Sequence, residues 1–286
     1  MPTNYRDVLD QFSALVQDHE AVVGAAVIGS RAQGRADRPG QAADLDLALF
    51  AAQPEELLSE NGWLAPVGRI WASAVDRTLP GLPVKRLLLD DAAEVDLLIV
   101  APDAADQSPP GVRAVLADIA RRGFKPVKSG GPVPDGLAEL AAEAKASARP
   151  RPSQDQFSDL AAQFWINAVR TARRLGRGEV WSAKRIVDGP MKDALVELQA
   201  WVVRARKGGD TDTFWKGRHL EEWAGDRFRR DLGASCGGYS AEAVRRDLTE
   251  TMDQFRLLAI EAASRWSLDY AEGLDRRATV WVRTWD

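Results

Sequence analysis

The sequence is poor in the residues that form disulfides and zinc sites. It contains one cysteine, Cys236, and two histidines among 286 residues. A single cysteine excludes an intrachain disulfide, and so little cysteine and histidine excludes a zinc site of the usual kind. Any metal ion must therefore be held by carboxylates, which favours a hard cation such as Mg2+.

Long apolar runs and an excess of basic charge are also missing. No stretch approaches the roughly 18 apolar residues of a membrane span, and residues 1–7 lack the pattern of a signal peptide. We therefore expect a cytoplasmic protein. The net charge of -4 lacks the basic excess of a nucleic-acid-binding protein, so we expect neither nucleic acid nor membrane as a partner.

The order of periodic segments predicts two domains of different class. The first half mixes apolar strands with amphipathic helices, namely strands over 21–28, 44–50, 84–89, 95–100 and 124–128, and helices over 4–18, 55–61 and 112–122. The second half is nearly all helical, with helices over 153–176, 180–206 (kinked at Gly189-Pro190) and 241–266. We predict a mixed α/β domain over 1–135, a linker over 136–152 that carries a short helix at 136–147, and a helical domain over 153–286.

Three aspartates of the first domain occur in a pattern that suits phosphoryl chemistry. Asp44 and Asp46 are two residues apart in a strand, so their side chains share a face. Asp96 lies within an apolar strand, where an unpaired acid is costly to bury. A cluster of the three is stable only with cations, and two bridged Mg2+ ions could clamp a triphosphate and an attacking hydroxyl. The alternative for any one of them is a solvated surface charge.

A Gly-Ser turn precedes the acids and has a matching role. Gly29 lets the backbone approach a phosphate closely, and the Ser30 hydroxyl can donate to its oxygens. Arg31 follows at once and can neutralise phosphate charge. A Gly-Ser turn on its own is ordinary. The pattern becomes specific because the strand, the Gly-Ser turn, a spacer, the paired acids and a third acid follow in this order.

Gly29-Ser30, then Asp44-Leu45-Asp46, then Asp96 resemble in their order the signature of the nucleotidyltransferase superfamily that includes DNA polymerase β. More narrowly, the sequence is similar to the aminoglycoside 6-adenylyltransferases, which modify streptomycin, through Gly29-Ser30-Arg31-Ala32, Asp44-Leu45-Asp46, Gly62-Trp63-Leu64 and Val95-Asp96-Leu97. The second domain has similar spacing of Phe164-Trp165, Ala183-Lys184, Trp201, Lys216-Gly217-Arg218 and Asp269-Tyr270. Leu45 stands where that family has an aromatic residue, and residues 207–239 differ more from the family pattern. The sequence therefore predicts the reaction more closely than it predicts the acceptor.

The resemblance implies an α+β protein, a polymerase-β-like mixed sheet followed by a helical bundle. It also implies transfer of AMP from ATP, with two Mg2+ ions, to a hydroxyl of a streptomycin-like aminoglycoside, and hence antibiotic resistance. Asp44 and Asp46 match metal ligands, and Asp96 matches a general base that is also a ligand. Gly29, Ser30 and Arg31 match the phosphate-binding turn. Lys184 matches a lysine that could reach the triphosphate, and the alternative is an ordinary solvated lysine. We also expect the protein to be a monomer.

An acceptor with guanidinium groups needs carboxylates and aromatic faces. The second domain offers Glu179, Trp181, Asp188 and Glu222 as the first candidates, with Glu221, Asp226 and Trp223 beside them. The alternative is a charged helical surface with tryptophans in the core. Two other functions stay open, namely transfer to a lincosamide or to a protein, and a non-catalytic nucleotide-binding protein that kept the fold. The presence of all three carboxylates argues against the latter.

Overall fold

The computed structural model describes residues 5–32, 44–79, 82–103, 110–128, 138–139, 142, 151–209, 211–213 and 215–284. The chain divides into two compact units, Met1–Ser147 and Ala148–Asp286. The first unit combines a sheet with helices and the second is helical, so the predicted fold class is confirmed. Of the predicted helix over 136–147 the structure describes residues 138–139 and 142, which are helical, and most of the predicted linker over 136–152 lies outside the described residues.

A six-stranded mixed sheet forms the centre of the first unit, in the order β3-β4-β5-β2-β1-β6. β2 and β5 run parallel in the middle, and the other neighbours are antiparallel. The strands are β1 (Val22–Val27), β2 (Leu45–Ala51), β3 (Ile70–Leu79), β4 (Leu82–Leu89), β5 (Glu94–Val100) and β6 (Lys125–Lys128).

Strand β3 is the one that the sequence did not predict. It lies at the edge of the sheet and, among the strands that the structure describes, pairs with β4 alone. Most of its described side chains are exposed, so it lacks the alternation of apolar and polar residues that marks a half-buried strand. The other five strands match the predicted segments to within about two residues, which is the usual uncertainty of strand ends.

Two apolar layers cover the two faces of this sheet. Odd-numbered residues of the central strands, such as Leu47 and Leu97, pack against α1 (Tyr5–Asp18) and α3 (Pro54–Ser59). Even-numbered residues, such as Phe50 and Leu98, pack against α4 (Pro110–Arg122). Short helical segments complete the unit, namely α2 (Gly29–Ala32) and 3-10 turns at Gly62–Val67 and Asp90–Ala92. By this alternation Asp46 and Asp96 lie on the α4 face.

A fully buried lysine joins β4 to the end of α3. The Lys85 Nζ donates to the carbonyl oxygens of Leu57 at 2.9 Å and Leu58 at 3.1 Å, and also to that of Glu60. Burial lowers the pKa of Lys85, and the charge of Glu60 offsets part of this effect. The ammonium thus satisfies carbonyl groups that the end of α3 leaves without helical partners.

We expect Lys85→Met to lower the free energy of unfolding by about 2–3 kcal/mol, because buried carbonyl groups lose their donor. Chemical denaturation followed by circular dichroism measures this change. Arg77→Met removes a cation that is 66% exposed in the same unit and should cost less than about 0.5 kcal/mol. Equal losses in the two variants would show that the Lys85 contacts contribute nothing specific.

The second unit is a bundle around the long helices α5 (Gln154–Gly176), α7 (Lys192–Lys207) and α10 (Ala241–Trp266). Shorter helices surround them, namely α6 (Val180–Ile186), α8 (Leu220–Trp223), α9 (Asp226–Ala234) and α11 (Glu272–Arg283). No helix that the structure describes is long and apolar enough to cross a membrane.

Local sequence predictions concern the start of α5 and the turn at Gly189-Pro190 in this bundle. Ser153 accepts from the backbone N–H of Gln156, whose side chain accepts from the N–H of Ser153, so the predicted capping box begins α5. At the predicted kink, Gly189 and Pro190 lie in a π-helical turn, Val187–Met191, between α6 and α7. Proline has no N–H to donate, and the wider turn accommodates the loss without ending the helical path.

Candidate active site

The structure brings the three predicted aspartates together. Asp46 on β2 and Asp96 on β5 are direct partners in the parallel pair, and Asp44 stands just before β2. One carboxylate oxygen of each lies within 4.8 Å of those of the other two, and all three residues are half-buried. An all-carboxylate set of this size could hold a hard divalent cation.

The electrostatics of the cluster favour a cation. Burial raises the pKa of Asp96, the nearby charge of Arg86 opposes this, and repulsion from Asp44 raises the pKa further. Like charges at such short range disfavour each other's ionised form. A bound cation would relieve both the desolvation and the repulsion.

Gly29 lies against the cluster so closely that a side chain does not fit. Its φ is +70°, and a Cβ atom built there would lie 2.1 Å from Oδ2 of Asp46. The backbone N–H of Ile28 donates to the carbonyl oxygen of Asp46 at 3.0 Å, which ties the end of β1 to the start of β2. Both the positive φ and the lack of space for a Cβ atom therefore require glycine at position 29.

We expect Gly29→Ala to lower turnover at this site by about 100-fold, because the new methyl group must displace the Asp46 carboxylate and small displacements of reacting groups are this costly. Initial rates of the catalysed reaction measure the effect. Gly233→Ala, in α9, meets nothing within 4 Å and serves as the control. Turnover by Gly29→Ala equal to that of the control would contradict the proposed fit.

The neighbouring residue, Ser30, has a hydroxyl group whose burial the fold does not explain. Among the described residues, the Ser30 Oγ is buried and makes no hydrogen bond. A buried hydroxyl without a partner costs free energy, and such groups often mark a position completed by a ligand or an ion. Beside Gly29 and Asp46, a phosphate oxygen is a suitable acceptor for it.

Arg31 has a local role that the sequence did not reveal. Its Nε donates to the carbonyl oxygen of Asp44 at 3.0 Å, and its guanidinium lies 4.0 Å from the centre of the Tyr5 ring. Arg31 thereby links the start of β2 to α1 and helps to place Asp44. Its contact with phosphate stays a prediction.

Lys184 lies in a dense polar network of the second unit. Its Nζ donates to the carbonyl oxygen of Gly237 at 2.8 Å and pairs with Asp188 at 2.9 Å and Asp247 at 3.3 Å. Burial opposes its charge, but the hydrogen bonds and charges of the two aspartates outweigh burial and raise its pKa. The side chain is 16% exposed, so it is not an ordinary solvated lysine. Its predicted role at the triphosphate stays a prediction, and the contacts shown already engage three acceptors.

The acceptor candidates lie on separate elements of the second unit. Trp181 on α6 is 64% exposed and contacts Tyr239 edge to face, with 6.3 Å between ring centres. Hydrogen bonds from Arg177 and Arg174 lower the pKa of Glu179 to about 2. Asp188, in the π-helical turn, pairs with Lys184 and Lys192. Their role at an acceptor stays a prediction.

The remaining candidates lie on α8 or at the start of α9. Glu222 is exposed and lies 3.6 Å from the Nδ1 of His219, and Glu221 and Asp226 are also exposed. Trp223 is 5% exposed and packs in the core, while its Nε1 donates to the carbonyl oxygen of Arg218. The expectation that Trp223 offers an aromatic face to an acceptor is therefore wrong, because its ring is covered by apolar side chains.

Sequence reasoning missed two residues next to Asp96. Arg86 on β4 is the direct strand partner of Asp96, and Asp76 on β3 contacts Arg86 from the other side. The one available signal is the pair Lys85-Arg86 within an otherwise apolar segment. That signal has meaning only once the neighbours of β4 in the sheet are known.

A mixed sheet that presents three carboxylates beside a tight Gly-Ser turn is the arrangement expected of a nucleotidyltransferase. The family model described as streptomycin adenylyltransferase matches residues 3–284. The chain therefore belongs to the streptomycin adenylyltransferase family, and the resemblance found in the sequence is confirmed.

Two solved structures are similar to this chain at low identity. A crystal structure of an aminoglycoside 6-adenyltransferase from Bacillus subtilis is 14% identical, with a TM-score of 0.45, over 98% of this chain and 96% of that one. A nucleotidyltransferase-like protein from Exiguobacterium sibiricum is 11% identical, with a TM-score of 0.40, over 91% of this chain and 76% of that one. A comparison with curated proteins finds no match.

Proposed function

We propose that this protein transfers AMP from ATP to a hydroxyl group of a streptomycin-like aminoglycoside in the cytoplasm, with antibiotic resistance as its role. The observation that carries the proposal is the convergence of Asp44, Asp46 and Asp96 within 4.8 Å of one another. Membership of the streptomycin adenylyltransferase family supports both the reaction and the class of acceptor.

The residues at the cluster fit divalent metal ions, and we propose two Mg2+ ions held by the three aspartates. The donor atoms are all carboxylate oxygens, which suit hard cations. Gly29 has no side chain, so the Asp46 carboxylate lies directly against its backbone, and the buried Ser30 hydroxyl has no acceptor among the described residues. Bound there, the ions would neutralise the triphosphate and make an acceptor hydroxyl more acidic.

In the proposed reaction Asp96 acts as the general base. It takes the proton of the acceptor hydroxyl as the hydroxyl oxygen forms a bond to the α-phosphorus of ATP. The bond from that phosphorus to the bridging oxygen breaks, and pyrophosphate leaves with the electron pair.

The Gly-Ser turn binds the phosphates in this proposal. The Ser30 hydroxyl donates to a phosphate oxygen, and Arg31 adds positive charge on the same short helix. Lys184 is a further proposed cation for the triphosphate. At the acceptor we propose Trp181, whose exposed ring offers a face to a sugar or guanidinium group, with Asp188, Glu179 and Glu222 as carboxylates.

A panel of acceptors tests the proposal. The protein is incubated with Mg2+ and ATP or GTP, and with streptomycin, a lincosamide or no acceptor, and each product is identified by its mass. We expect an AMP adduct with streptomycin and ATP. An adduct with the lincosamide, or on the protein itself, would replace the acceptor but keep the chemistry. Nucleotide binding without any adduct would support the non-catalytic alternative instead.

A further inference from the structure

Three charged residues form a chain across the sheet that ends at Asp96. The Arg86 Nη1 lies 3.4 Å from Oδ2 of Asp96, and on its other side the Arg86 Nε and Nη2 both lie 3.1 Å from Oδ2 of Asp76. The three side chains come from the consecutive strands β3, β4 and β5.

The strand register explains why these residues meet. Arg86 and Asp96 are direct antiparallel partners, so both point to the same face of the sheet. On β3 the partner of Arg86 is Ala74, and Asp76 lies two residues further along on the same face. One edge of the planar guanidinium is therefore bound by Asp76, and its remaining nitrogen faces Asp96.

We propose that Arg86, held by Asp76, is a positioning residue that fixes the Asp96 carboxylate for proton transfer, and that its charge limits how tightly the three aspartates bind a divalent cation. The inference rests on the proposed function. It adds two residues that lie outside the three carboxylates and the phosphate-binding turn, and it assigns Arg86 effects of opposite sign on turnover and on metal affinity.

The contribution of this ion-pair chain to folding is small. The Arg86 side chain is 53% exposed, and exposed ion pairs add little to stability. An arginine that is unimportant for stability but contacts one of the three clustered carboxylates is better explained by a role in orienting that carboxylate. Substitutions at Arg86 should therefore leave the melting temperature within a few degrees of that of the wild type, which keeps the test interpretable.

Arg86→Met separates the two effects. In metal-free protein titrated with Mn2+ as the probe, we expect a Kd about threefold to tenfold lower, because a positive charge close to the site has been removed. In turnover we expect kcat to fall about 10-fold to 100-fold while the KM for ATP changes little, since Asp96 is no longer held in place. Asp76→Asn should also lower kcat, by a smaller factor, but it removes a negative charge that offsets Arg86 and should therefore raise the Mn2+ Kd.

Arg86→Lys distinguishes charge from geometry. A lysine keeps the positive charge but lacks the planar fork that contacts both aspartates. We expect Mn2+ affinity close to that of the wild type and a kcat that stays low. Arg77→Met, which removes an exposed cation on β3, is the matched control and should alter neither quantity.

The inference is overturned if Arg86→Met leaves both the Mn2+ Kd and kcat unchanged, or if Mn2+ binds more weakly. A failure of the proposed function looks different, because wild-type protein would then show no transfer at all. The Mn2+ titration would still test whether Arg86 limits binding at the three aspartates, since it needs neither ATP nor an acceptor.

Discussion

Replacing Asp96 with asparagine should reduce transfer by about 10²-fold to 10⁴-fold, the range attributed to a positioned general base. Asparagine keeps the shape of the side chain but cannot take the proton of the acceptor hydroxyl. Asp44 and Asp46 remain in Asp96→Asn, so nucleotide binding should be largely intact. The expected signature is a large loss of turnover with a small change in affinity for Mg2+-ATP.

Two measurements establish this signature. Pyrophosphate release under saturating ATP and acceptor gives kcat, and calorimetric titration with a non-hydrolysable ATP analogue gives affinity. Asp103→Asn, an exposed aspartate of the same unit, is the control for loss of one negative charge. Normal turnover in Asp96→Asn would remove this residue from the mechanism.

Asp46→Asn should weaken metal binding as well as transfer. Asp46 lies at the centre of the site, where it pairs with Asp96 across the strands and lies against Gly29. Loss of one ligand charge should raise the Kd for Mn2+ by at least about 10-fold to 100-fold, which is the effect of losing even outer contacts of a metal site. Transfer should fall below detection, and Asp44→Asn should act in the same direction.

Asp96→Asn and Asp46→Asn should differ in the metal affinity that each variant retains. Mn2+ titration of the metal-free variants separates them, because Asp46 lies at the centre of the cluster and its loss should lower the affinity more than the loss of Asp96. A melting curve for each variant controls for unfolding. An unchanged Mn2+ Kd in Asp46→Asn would contradict its assignment as a ligand.

The convergence of the carboxylates could be predicted because it depends on local rules. Residues two apart in a strand share a face, and an acid within an apolar strand needs a compensating partner. The sequence order of Gly29, Ser30, Asp44, Asp46 and Asp96 therefore sufficed to predict one cluster. The register that sets Asp46 directly opposite Asp96 came from the structure.

The contacts of Arg86 could not be predicted, because they depend on which strands are neighbours. Strand β3 is an edge strand with mostly exposed side chains, so its sequence carries no clear periodicity. Without β3 there was no partner to propose for Arg86 and no role for Asp76. Edge strands are weakly specified by hydrophobic pattern, and charged residues on them are informative only in three dimensions.

The second unit shows the same limit for charged residues on helices. Lys184 meets Gly237 and Asp247, which are 53 and 63 residues further along the chain. Trp223 lies in the core, whereas Trp181 is exposed, although both occur in charged segments. Helical periodicity predicted where the long helices lie, but not which side chains neutralise one another when they pack.

The most direct test of nucleotidyl transfer follows the phosphate label. Wild-type protein is given Mg2+, streptomycin and ATP labelled at either the α- or the γ-phosphate. We predict that the α-label moves to streptomycin and the γ-label leaves as pyrophosphate, and that Asp96→Asn does neither. Transfer of the γ-label to the acceptor would contradict the proposed function, because the carboxylate site would then catalyse phosphoryl rather than nucleotidyl transfer.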